Sequence, residues 1–105
     1  MAESVSAPLG FNIDAGARER LDALLRESYG FTPVLGVFKS KRSHEVAERW
    51  KVVIYDQNAI RTADFPTYEC SVAGYRFVFV QPEAASDLNG ITLVADGHGL
   101  RFVAQ

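Results

Sequence analysis

Between residues 75 and 80 the side chains alternate: Tyr75, Phe77 and Phe79 fall on one parity, and Arg76, Val78 and Val80 on the other. A period of two is the repeat of a strand. Aromatic and β-branched residues also suit a pleated surface, so the run predicts a strand with three aromatics on one face. Pro82 ends it, because proline has no N–H to give the ladder. Residues 83–88 predict one short helical turn, stopped at Asn89-Gly90, where a positive φ is available. Two more apolar runs follow, 91–95 and 100–103. Asp96-Gly97-His98-Gly99 between them predicts a hairpin loop.

Upstream the period changes. Ala17, Leu21, Leu24, Leu25 and Ser28 recur at helical spacing, with Arg18, Asp22 and Arg26 on the opposite, charge-paired face. Asp14 is placed to cap this helix through its carboxylate, and Gly30 is its natural stop. Residues 34–38 predict a strand, with Gly36 inside it marking a bulge or a close approach. The polar stretch 39–49 is either a long hairpin loop or a helical turn capped by Ser43. Residues 52–55 predict a strand ended by Asp56-Gln57-Asn58, and residues 59–66 read as irregular, with Pro66 holding Phe65 extended. Residues 67–72 predict a weaker strand joined through Ala73-Gly74 to the aromatic one. One N-terminal amphipathic helix packed on about six short, mostly antiparallel strands is an α+β domain or small sandwich. Residues 1–10 are expected to be a flexible arm and residues 11–105 one domain.

Composition narrows the function classes. The 105 residues are 48% hydrophobic, which suits a single folded core. A net charge of −2 gives no global attraction to nucleic acid or acidic membranes. The single cysteine excludes an internal disulfide and suits a reducing compartment. No apolar run reaches the length of a membrane span, and the N-terminus has no signal-peptide pattern, so a cytoplasmic protein is expected.

Few residues carry candidate chemistry. Cys70 lies in a strand-like run, where it reads first as a small buried hydrophobe. His44-Glu45 lacks the second histidine of a zinc-protease helix. Asp96 and His98 share a turn, but a metal site needs more converging ligands than these. Lys39, Lys41 and Arg42, followed by Arg49 and Lys51, are the densest local charge, and suggest an anion-binding loop or a contact to an acidic partner. Trp50 is the one aromatic beside them, so nucleic acid is not the expected partner. No serine or cysteine nucleophile has a base–orienter pattern, and no catalytic residue is assigned.

The order of elements, the glycine-led strand Gly74–Val80, the Leu88-Asn89-Gly90 turn and the Gly99-Leu100-Arg101-Phe102 strand resemble the HesB-like, or A-type iron–sulfur carrier, family. Members of that family hold the cluster with a cysteine just after the first strand and a Cys-Gly-Cys near the C-terminus, iron being normally bound by thiolates. Here Lys39, Ser40, Lys41, Arg42 and Ser43 follow the first strand, and the sequence reaches Gln105 with no Cys-Gly-Cys. Hydroxyls replace soft thiolates poorly. The resemblance therefore implies a HesB-like domain that has lost cluster carriage. It would be a non-enzymatic binding or interaction module without cofactor, homo-oligomeric or held by a protein partner. The alternative it leaves open is residual iron or iron–sulfur binding through Cys70, His44 and His98, with ligands shared across a dimer. A small enzyme is a third class, and would need a deep polar pocket with a titratable group of shifted pKa.

Overall fold

The computed structural model describes residues 4–6, 9–97 and 99–104. It is an α+β fold, with two mixed sheets enclosing one main core. The segments in chain order are β1 (Ser4–Ser6), β2 (Asn12–Ile13), α1 (Ala15–Arg26), β3 (Pro33–Lys39) and a 3-10 turn (Val46–Arg49). Next come β4 (Trp50–Asp56), α2 (Gln57–Arg61), β5 (Thr67–Val72), β6 (Tyr75–Phe79), α3 (Ala84–Asp87), β7 (Thr92–Asp96) and β8 (Gly99–Val103). The larger sheet has the order β1-β5-β6-β3-β4, and the smaller β2-β7-β8.

Three antiparallel hairpins supply the long ladders: β3–β4, β5–β6 and β7–β8. Short parallel pairings, β1–β5, β3–β6 and β2–β7, join them. The β5–β6 turn is Ala73-Gly74, with φ +52° and +89°. Positive φ at both central residues is the type I′ pattern that matches strand twist, and Gly74 adopts it without a Cβ penalty. Part of the segment expected to be an arm is strand: Ser4–Ser6 pair with residues 67–69 of β5, and Leu9 is buried in the core.

The alternation in β6 separates two apolar layers. Phe77 and Phe79 face the main core with Leu35 and Val37 of β3, Ala17 and Leu21 of α1, Leu93 of β7 and Phe102 of β8. Val78 points the other way, into a small cluster with Val34, Ile60 of α2 and Tyr55. Gly36 lies under the Tyr55 ring, where a Cβ would also come within 2.8 Å of the Val78 carbonyl oxygen. The glycine thus marks a close approach, with no side chain tolerated.

α1 starts where expected: the Asp14 carboxylate accepts from the Ala17 N–H at 2.8 Å. It ends at Arg26, before Gly30 is reached. There the Leu24 carbonyl, which the Ser28 N–H would claim if the helix continued, accepts instead from the Tyr29 hydroxyl (2.7 Å) and the Glu27 N–H (3.3 Å). The stripe is buried only at Ala17 and Leu21; Leu25 and Ser28 are exposed. Residues 57–61, expected to be turn and irregular chain, form α2, which Asp56 caps by accepting from the Asn58 N–H at 2.9 Å.

Candidate functional site: a basic cleft on the β3–β4 loop

β3 and β4 leave the sheet as a hairpin whose loop is residues 40–49. The loop does contain a short 3-10 turn, but Glu45 stands at its N-cap with no side-chain cap bond, so the hairpin-loop alternative holds and the Ser43-capped turn does not. Local bonds give it a defined shape. The Ser40 N–H donates to the Arg49 carbonyl at 2.8 Å, closing the neck. Ser43 accepts from the Glu45 N–H through its hydroxyl oxygen (3.1 Å) and donates to the Glu48 carboxylate (2.9 Å). Arg49 donates through Nε to the Ser43 carbonyl at 2.8 Å.

The result is an open cleft of about 590 Å³ lined by Lys39, Ser40, Lys41, Arg42, Ser43 and Arg49. Among the described residues, every ionisable side chain on its wall is a cation. Lys41 and Arg42 are exposed and make no ion pair among the described residues, whereas Lys39 is half-buried and held in place. Its ammonium lies 3.5 Å from the Glu83 carboxylate and 5.8 Å from the Trp50 ring centroid. The Lys39 N–H donates to the Gln81 side-chain oxygen at 2.8 Å, and the Lys39 carbonyl accepts from the Gln81 amide at 3.5 Å. Trp50 is itself fixed by its indole N–H donating to Asp87 at 3.1 Å. Several cations at one opening, with the Ser40 hydroxyl among them, can receive an oxyanion by charge and hydrogen bonding, while the Ser43 O–H is engaged by Glu48.

Lys39, Lys41 and Arg42, grouped from sequence as an anion or partner contact, thus share one cleft with Arg49. The support from Gln81, Glu83, Trp50 and Asp87 escapes sequence reasoning. Gln81 and Glu83 lie about forty positions downstream, beyond β6, and no local period connects them to Lys39.

The candidate metal ligands are placed elsewhere. Cys70 is half-buried on β5, packed against the main core, and its Sγ accepts from the Leu9 N–H at 3.2 Å. Through Phe77 it is level with Leu35, two strands from β3, or about 10 Å. His44 is exposed in the loop past Lys39, a further ~13 Å along the strand direction. These two side chains do not converge within one chain. His98 lies outside the described residues. Among the described residues no three His, Cys, Asp or Glu side chains stand together as a metal site. No helix among them is long and apolar enough to cross a membrane. No family model matches the chain, and no curated protein matches it.

Proposed function

We propose that this chain is a HesB-like domain that has exchanged cluster carriage for binding through the basic cleft. It acts without catalysis, as a cytoplasmic interaction module that is homodimeric or docked on a protein partner. The observation that carries the proposal is the content of one position in the fold. At the end of β3 and directly after it, where the resemblance calls for a cysteine ligand, the chain has Lys39-Ser40-Lys41-Arg42-Ser43, and these side chains line a cleft with Arg49. Ammonium and guanidinium groups repel iron and attract anions, so the chemistry at that place is reversed.

Further support comes from element order: a capped helix, the β3–β4 hairpin, the glycine-led β6, the Leu88-Asn89-Gly90 turn and the closing β7–β8 hairpin. Cys70 is engaged in core packing and accepts a backbone N–H. The test is iron and sulfide content with a visible absorption spectrum, on protein purified without oxygen from iron-replete cells. The expected result is no stoichiometric cluster. A stoichiometric cluster signal, abolished by Cys70→Ser, would overturn the proposal.

A further inference from the structure

The basic cleft does not end at the loop. A groove of about 590 Å³ shares Ser40 and Lys41 with it and continues between β4 and β8. Its wall on one side is residues 100–104, and on the other Ala47, Trp50 and Lys51. Its apolar surface comes from the half-buried Leu100 and Val103, over the buried Phe102, Trp50 and Ala47, and Lys51 and Arg101 add positive charge. Two carboxylates also line it, Glu45 and Glu48, of which Glu48 is engaged by the Ser43 hydroxyl. Arg101 is paired with Asp96 at 2.8 Å.

We infer that cleft and groove form one docking track for an extended acidic segment of a partner protein, its carboxylates in the cleft and its apolar side chains along the groove. The inference rests on the proposed binding role of the cleft and names the partner chemistry. Three observations select this occupant. The cleft wall is cationic, so the complementary segment is anionic at that end. The groove wall is five consecutive residues, 100–104, the first four in β8, and this run of roughly 13–16 Å matches extended chain better than a compact anion. Finally, β4 and β8 are the outer strands of their sheets, so among the described residues each has one edge not laddered to a further strand. Outer strands with alternating pockets are the surface on which extended peptides are recognised.

Trp50, the only tryptophan, lines the groove while its ring carries the Lys39 ammonium from the cleft. It is therefore an internal reporter of both halves. The experiment titrates the full chain with a fluorescein-labelled peptide alternating glutamate and leucine, read by anisotropy and by Trp50 emission with an unlabelled copy. Saturable binding that weakens as salt rises is expected, with a shift in Trp50 emission. An all-glutamate peptide of the same charge should bind about tenfold more weakly, the loss of one buried leucine side chain. Lys41→Glu with Arg42→Glu, both exposed positions, should leave the melting temperature in place and weaken the mixed peptide by roughly tenfold.

If the all-glutamate peptide or inorganic phosphate binds as well as the mixed peptide, the track is overturned and the cleft alone remains as an anion site. If no anionic probe binds, or the double charge reversal has no effect, the proposed role of the cleft falls as well. A concentration-dependent dimer dissolved by the same reversal would give the track to a second copy of the chain and overturn the inference.

Discussion

The Tyr55 hydroxyl is sealed beneath the outer face of the larger sheet and has no hydrogen-bond partner among the described residues. Its ring is held over Gly36, so the oxygen cannot swing toward solvent without opening that contact. A buried, unsatisfied hydroxyl lost water without a replacement. Tyr55→Phe should therefore leave the unfolding free energy at neutral pH unchanged or raise it by up to about 1 kcal/mol, measured by urea denaturation. A clear loss of stability would show that the hydroxyl is bonded. Burial also pushes the Tyr55 pKa above its ordinary 10.0. Tyr75 moves the same way, first because its hydroxyl donates to the Asp22 carboxylate at 2.7 Å. For both, the stabilisation is fully present below pH 10.0. It is lost as pH rises through the folded value, because the unfolded chain ionises first. Tyr55→Phe should flatten the alkaline part of the stability curve. At this scale the sequence showed the type of residue and not its partner. Gly36 was legible as a close approach, but Tyr55 and Val78 as the groups approaching it were not, because they come from two other strands.

Among the elements, α1 is the best specified, since its cap, stripe and charged face agree. Asp14→Ala removes the acceptor of the Ala17 N–H and should cost about 1 kcal/mol in chemical denaturation, while Asp14→Ser should recover most of it. If alanine were harmless, packing against β7 alone would be holding the first turn. The helix also shows what periodicity leaves open. Ser28 extends the stripe, yet the helix stops at Arg26, where Tyr29 and Glu27 take the Leu24 carbonyl. A competing side-chain donor beyond the stripe is invisible to a moment argument. The alternating run of β6 was legible because a half-buried strand must separate two faces. α2 was not, because five residues with one buried position, Ile60, make no period. For the candidate site, the cluster Lys39, Lys41 and Arg42 stood out as local charge. The 3-10 turn that brings Arg49 back to the same cleft arose from bonds of Ser43 to Glu45, Glu48 and Arg49.

Across the whole molecule, Phe11 joins the two sheets. Its ring meets Phe77 of the larger sheet and Phe102 of the smaller one edge-on, each with centroids 5.2 Å apart. Phe11→Ala would open a cavity between the layers and should cost about 3–5 kcal/mol. That is a large part of the roughly 5–15 kcal/mol that stabilises a domain of this size. Urea unfolding should show a lower midpoint at unchanged slope, with Phe11→Leu falling between; an unaffected midpoint would mean that the sheets are held elsewhere. By itself the sequence determined the α+β class, the capped helix, the hairpins and the concentration of positive charge after β3. Each of these depends on neighbours within a few positions, through period, capping or turn chemistry. Tertiary structure alone decided the mixed pairing, the strand role of Ser4–Ser6, the separation of Cys70 from His44, and the joining of the cleft to the groove beside β8. Those depend on which strands lie side by side, and that is settled by burying Phe11, Phe77, Leu93 and Phe102 together, residues that no local pattern connects.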